Sequence, residues 1–405
     1  MEVVSNLPEI SVEEFKNLAF DLYTKGFRNS VLLIGAPGIG KSESVKQLAE
    51  KIAKSLDKKF VELEFRWENG EIVDYSAVFK KAINILRNPD EYFVLIDLRL
   101  TECEPTDLLG IPRDFSVEDL KVFDYVPFIW QLVASASAGI LFLDEITNVK
   151  RMDIRAVMYK LLRDRRAGWL KFHDDLLVVG AGNRPEDAVV ASLLDAPVVN
   201  RVLVLRIKPP NIDEWAEYMD RHVEDFDRRV VAFLQRFPDF LFQQPDDAET
   251  LNPFPTPRTW TELAKITHKV SDEHLDVVSY GYVGLEASTH LVTFLRTEVP
   301  DVSDVLKNPS IINNYGVDGK HLIASQIATE IRNECLNGAK PNLRKFEKVL
   351  IWLLNNDREM LQLIGVIVGK KAMRKLHAYS LTVPTLRNVA SFFAQTWKDL
   401  KDAGF

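Results

Sequence analysis

Residues 35 to 42 read Gly35-Ala36-Pro37-Gly38-Ile39-Gly40-Lys41-Ser42, directly after the apolar run Val31-Leu32-Leu33-Ile34. A G-x-x-x-x-G-K-[ST] loop in that context dictates its surroundings, because a buried strand must deliver it to a sheet edge and a helix must leave from Lys41. The glycines let main-chain N–H groups turn onto phosphates, and the start of the helix adds positive dipole. Lys41 reaches the β and γ phosphates and Ser42 is a ligand for Mg²⁺. A strand-to-helix turn that binds nothing is the alternative, and the two flanks speak against it. The chain is expected to bind a nucleoside triphosphate.

A chain of 405 residues, 46% hydrophobic and 27% charged, buries a large core and divides into two or three domains. Met1 to Ile10 has no basic segment followed by an apolar one, and Leu361 to Val368 is too short an apolar run to span a bilayer, so no export and no membrane insertion is expected. The two cysteines, Cys103 and Cys335, suit a reducing cytoplasm and read as ordinary buried thiols. With 59 acidic against 51 basic residues the net charge is −8, which gives no bulk attraction to nucleic acid, although a local basic patch is compatible with it. The seven histidines stand too far apart to form a metal site.

Apolar periodicity predicts helices over Val12–Lys25, Lys41–Leu56 and Ser76–Leu86. Strand-like runs follow the pattern Val31–Ile34, Phe60–Phe65, Tyr92–Leu98, Ala138–Leu143, Leu176–Ala181 and Val202–Ile207. Strands alternating with helices imply a parallel sheet covered on both faces. After Lys208-Pro209-Pro210 the pattern turns helical, as in Ile212–Asp220 and Leu343–Leu354, which places a domain boundary near Pro209.

The run Gly139-Ile140-Leu141-Phe142-Leu143 ends in Asp144-Glu145. Burial of the strand forces these acids to its carboxyl end, where sheets of this class hold ligands. Asp144 is expected to hold Mg²⁺ through water and Glu145 to polarise the water that attacks the γ-phosphate; the duller reading is that they cap the next helix. Leu176 to Gly182 ends in Asn183, whose position suits sensing of the γ-phosphate, the alternative being a turn asparagine ahead of Arg184-Pro185.

In order, Gly35 to Ser42, Asp107-Leu108-Leu109-Gly110-Ile111-Pro112, Gly139 to Glu145, Gly182-Asn183-Arg184, Asn200-Arg201 and Pro255-Thr256-Pro257-Arg258-Thr259-Trp260 resemble the MoxR branch of the AAA+ ATPases. Within it the likeness is to phage and prokaryotic ATPases that work beside proteins with a von Willebrand factor A domain. It covers roughly residues 28 to 295, and one departure is the long stretch from Phe60 to Tyr92 ahead of the expected second strand. The resemblance implies a P-loop AAA+ fold: an α/β nucleotide-binding domain over residues 1–208 with a parallel five-stranded sheet flanked by helices, a helical lid over 209–295, and a C-terminal helical region over 296–405. It implies ATP and Mg²⁺ as ligands and a homo-oligomeric ring of six subunits.

By the same resemblance, Arg201 matches an arginine finger supplied to a neighbouring subunit and Arg258 the second sensor of the lid, in its own or a neighbour's site. A guanidinium suits both roles because it stays charged; a surface ion pair is the plain alternative for each. Arg163, Arg165 and Arg166 are rival fingers. Gly168-Trp169-Leu170-Lys171-Phe172-His173 matches a pore-facing hairpin, where aromatic and basic groups grip a strand, or else Trp169 and Phe172 simply pack. Asp107 to Pro112 begins a further family insert. The function implied is remodelling or maturation of a protein partner, with a nucleic-acid motor as the alternative and a nucleotide-dependent scaffold as a third class.

Overall fold

The computed structural model describes residues 9–64, 67–68, 71–72, 75–117, 120–183, 200–243, 252–337 and 342–402. The chain forms two compact units, Met1–Pro209 and Pro210–Phe405.

The first unit begins with strand β1 (Glu9–Ile10), helix α1 (Val12–Thr24), β2 (Val31–Gly35), α2 (Lys41–Ser55) and β3 (Lys59–Glu64). A short hairpin, β4 (Trp67–Glu68) and β5 (Glu71–Ile72), precedes α3 (Tyr75–Arg87), β6 (Tyr92–Arg99) and α4 (Pro105–Leu109). A second hairpin, β7 (Ile111–Val117) and β8 (Leu120–Val126), leads to α5 (Ile129–Ala136), β9 (Gly139–Asp144) and α6 (Met152–Asp164). The unit closes with the small hairpin β10 (Arg166–Ala167) and β11 (Leu170–Lys171), then β12 (Leu176–Asn183) and β13 (Leu203–Ile207).

Seven of these strands build one parallel sheet in the order β1-β13-β2-β12-β9-β6-β3. The expected class, a parallel α/β sheet flanked by helices and followed by a helical region, is the one observed. The sheet is wider than the five strands implied, because β1 and β3 extend its two edges. The stretch from Phe60 to Tyr92 supplies β3, which lies beside β6 in parallel register from Lys59↔Tyr92 to Glu64↔Asp97.

Strands buried on both faces read as continuous apolar runs, and the five residues of β2 are all buried. Leu32, Ile34, Ile96, Leu141 and Val178 face a core shared with α3, α5 and α6. On the other side α1 and α2 supply Phe15, Ala19, Val45, Leu48 and Ile52, all buried. Tyr23 of α1 meets Phe93 of β6 edge to face, ring centroids 5.9 Å apart. With helices on both faces, only the strand ends are left for chemistry.

The second unit is helical among its described residues, with helices that include Ile212–His222, Arg228–Arg236, Pro257–Ile266, Asp272–Leu295, Val317–Asn337, Arg358–Val368, Lys370–Thr382 and Arg387–Asp402. One core runs through it, joining Trp215, Phe233, Trp260, Phe294, Ile327 and Phe393. Inside that core Asp220 takes two arginines, Arg228 and Arg332, the latter at 2.9 Å. Both guanidiniums also donate to the last carbonyls of Arg358–Val368, Arg228 to Ile367 and Arg332 to Val368. The negative end of that helix therefore supplies the charge that one carboxylate cannot. Burial pulls the Arg228 guanidinium below its ordinary range despite Asp220.

Candidate functional site

The carboxyl ends of β2, β12, β9 and β6 form one row. Asn183 is level with Gly35, and Arg99 with Asp144. The loop leaving β2 is built on positive φ at Gly38 (74°) and Gly40 (91°), angles that disfavour side chains with a Cβ. A Cβ on Gly35 would stand 2.7 Å from the Ile207 carbonyl oxygen of β13, so the strand packs too tightly there for any other residue. Gly40 caps α2, and Lys41 is its first residue.

Lys41 is 7% exposed, a depth at which an ammonium must find acceptors. Its Nζ donates to the carbonyls of Gly35 (2.9 Å) and Ala36 (2.7 Å) and to Asn183 Oδ1 (3.1 Å). The ammonium is thus held at the mouth of the loop by groups from two strands. One residue on, Ser42 Oγ donates to Asp144 Oδ2 at 3.0 Å. That pair of hard oxygens, one neutral and one anionic, suits Mg²⁺, which takes one or two protein ligands and completes its shell with phosphate and water. Among the described residues no group of three or more His, Cys, Asp and Glu gathers to hold a metal by itself.

Glu145 takes up left-handed backbone, φ 54° and ψ 32°, which breaks β9 sharply after Asp144. The turn is secured by Glu145 N–H donating to Asp144 Oδ1 at 2.8 Å and by Asn148 N–H donating to the Glu145 carbonyl at 2.9 Å. Glu145 Oε2 accepts from Thr101 Oγ1 at 3.4 Å and from Asn148 Nδ2 at 3.5 Å. Thr147, in the same turn, accepts from the Asn183 N–H at 3.0 Å, and a Cβ on Gly182 would run into its methyl group. Thr101, Asn148 and Thr147 carry no motif. Ordinary polar residues in turns become site residues only once the strands lie side by side.

Lys41, Ser42, Asp144, Glu145 and Asn183 therefore meet at one place, with Gly35 to Gly40 as the loop around it. Arg201 stands elsewhere. It is exposed in the turn before β13, and Leu203 N–H, two residues on, donates to the Ser30 carbonyl at 2.9 Å at the amino end of β2. The five residues of β2 put roughly 15 Å of strand between that end and the phosphate loop, more than an arginine side chain spans. Asp164, at the end of α6, is held below the usual carboxylate range first by its hydrogen bonds from Arg163, with Arg201 and Arg166 adding their charge.

The three rival arginines separate cleanly. Arg163 is paired with Asp164 at 2.7 Å, and Arg166 is exposed at the start of β10. Arg165 turns inward on left-handed backbone, φ 50°, and its Nη2 donates to the carbonyls of His173, Asp174 and Leu176. Burial pulls its guanidinium below the ordinary range. Arg165 ties α6 to the start of β12 and is not available to a neighbouring molecule. Arg258 is exposed in the first turn of the helix Pro257–Ile266, whose N-cap is Thr256.

Gly168 to His173 forms the tip and second arm of the β10–β11 hairpin. Trp169 is 77% exposed at the tip, whereas Phe172 is 2% exposed and packs on Trp130. Of the two aromatics, only Trp169 is placed to touch anything outside the chain. Beyond Asp107 to Pro112 the chain continues into the β7–β8 hairpin, on which Phe123 is 83% exposed. The segment following Asn183, including Arg184 and Pro185, lies outside the described residues.

No protein-family model matches the chain, and no curated protein matches it. Among solved structures it is similar to the Aeropyrum pernix Orc1 protein in complex with DNA, with 12% identity over 89% of this chain and 84% of that one and a TM-score of 0.35. It is similar also to the Thermotoga maritima RuvB Holliday junction branch migration motor, with 17% identity, 80% and 83% coverage and a TM-score of 0.31. A third is C. elegans PCH-2, with 15% identity, 72% and 70% coverage and a TM-score of 0.29.

Proposed function

We propose that the chain is an AAA+ ATPase that hydrolyses ATP within a ring of identical subunits. The observation that carries this reading is the meeting of Lys41, the Ser42–Asp144 oxygen pair, Glu145 and Asn183 at the ends of three neighbouring parallel strands. Lys41 binds phosphate charge at the mouth of the loop. Ser42 and Asp144 would hold Mg²⁺, which would supply positive charge to neutralise the phosphate oxygens. Glu145 accepts the proton of the attacking water, and Asn183, bonded to Lys41, orients that water. Arg201 is a strand's length from its own loop, which supports its acting on the triphosphate of an adjacent subunit, and Arg258 serves as the second sensor.

The finer reading is a MoxR-like machine that remodels a protein partner carrying a von Willebrand A domain, and the order of motifs along the sequence supports it. A nucleic-acid motor is the second reading, favoured by the acid-free basic helix Lys370–Thr382. Glu145→Gln tests the ATPase itself. The variant keeps size and hydrogen bonding, so ATP should bind with unchanged affinity while turnover falls roughly 100-fold or more. Turnover equal to that of the native chain would remove Glu145 from the role. The same variant, held in ATP, is the bait for retaining a client protein.

A further inference from the structure

Charge is distributed very unevenly along this chain. The whole is acidic, at −8, yet from Met360 through Lys398 there is no Asp or Glu at all, while Lys370, Lys371, Arg374, Lys375, Arg387 and Lys398 fall in that stretch. Four of the six lie on the first turns of the helix Lys370–Thr382. At 3.6 residues per turn, Lys371, Arg374, Lys375, Ala378, Leu381 and Thr382 share one face. All six are exposed, and the opposite face buries Ala372, Met373, Leu376 and Ser380 in the core.

Only part of this charge is spent within the molecule. Lys370 pairs with Glu217, and Lys375 donates to the Cys335 carbonyl at the end of Val317–Asn337, at 2.6 Å. Lys371 and Arg374 have no acidic partner among the described residues. Two unpaired cations one turn apart, with a third beside them, form a positive strip on an otherwise acidic protein.

We infer that this face binds the phosphate backbone of double-stranded nucleic acid without reading its sequence. The composition of the face selects this occupant. A protein partner would need an apolar anchor, since protein interfaces draw their energy from buried aromatic and aliphatic groups. An anionic lipid surface is held by clusters of roughly four to eight cations, more than the two unpaired ones here. Here the neighbours of the cations are Ala378, Thr382 and a single half-exposed leucine, Leu381, with no larger apolar group beside it. A single strand held by stacking would need exposed aromatics, and the face has none. What remains is charge, and a duplex presents about one phosphate charge per 1.7 Å of axis. The inference concerns the second unit alone and does not rest on the ATPase reading.

The test is fluorescence anisotropy of the full chain with a labelled 30-base-pair DNA duplex of mixed sequence at several salt concentrations. Binding in the 10⁻⁴–10⁻⁶ M range near physiological salt is expected, tightening as salt is lowered. The double variant Lys371→Gln/Arg374→Gln should weaken it at least tenfold and make the salt slope shallower by about 2. The control Lys54→Gln/Lys80→Gln removes two exposed cations from the first unit and should leave both quantities unchanged. Circular dichroism melting establishes that the variants are folded. Failure to bind at 50 mM salt, or equal loss in variant and control, would overturn the inference. So would tighter binding of a single strand, of a polyglutamate peptide or of vesicles containing phosphatidylserine than of the duplex.

Discussion

Thr101 Oγ1 stands 3.4 Å from Glu145 Oε2, so the carboxylate at the end of β9 is held from the end of the neighbouring strand β6. In the proposed mechanism Thr101 acts through Glu145, as a positioning residue. Thr101→Val removes the donor with little change in volume and should lower kcat about three- to tenfold while KM for ATP stays put. Thr101→Ser should restore it. A KM that moves together with kcat, or no rescue by serine, would mean that the contact has no bearing on hydrolysis.

Asn183 is bonded to Lys41 and lies level with Gly35, and in the proposed mechanism it orients the attacking water. Asn183→Ala should therefore bind ATP within a few-fold of native while turnover drops roughly 10- to 100-fold. Calorimetry that finds affinity lost in proportion to rate would assign Asn183 to binding.

Arg201 is exposed at the amino end of the sheet, a strand's length from its own loop. Arg201→Ala should bind ATP and lose about 10³ or more in rate, while Lys41→Ala should not bind it. Mixed together, the two inactive variants should recover part of the activity, because each supplies what the other lacks across a subunit boundary. Co-assembly without recovery would confine Arg201 to a structural role.

Asp220 is, among the described residues, the carboxylate that answers both the buried Arg228 and the partly buried Arg332. Asp220→Asn leaves both short of their counter-charge and should lower stability in denaturant titration by about 3 kcal/mol. A loss below about 1 kcal/mol would show that the helix carbonyls of Ile367 and Val368 suffice.

Much of this candidate site is legible in the sequence because its loop and strand ends restrict backbone as well as side chains. Gly38 and Gly40 are fixed by positive φ, and Asp144 is fixed by the end of a buried strand. The six apolar runs each become a strand, with ends that shift by one or two residues. β1 was not legible, since two residues carry no periodicity, and the edge place of β3 follows from pairing with β6. Arg163, Arg165 and Arg166 are alike as letters; only the carbonyls of His173, Asp174 and Leu176 single out Arg165 as internal. Trp169 and Phe172 divide for the same reason, one at a hairpin tip and the other against Trp130.

Thr147 touches both the acidic turn and the strand beside it: its hydroxyl receives the Asn183 N–H and its methyl group forbids any side chain at position 182. Position 147 lies far along the chain from the adjacent positions 182 and 183, yet it makes a single fitting with them, and a side chain at 182 would collide with the threonine. Inheritance should therefore treat them as one character. In related chains a side chain at the equivalent of 182 should arrive together with loss of the methyl group at 147, while serine at 147 would keep the hydroxyl that receives the main-chain N–H of 183.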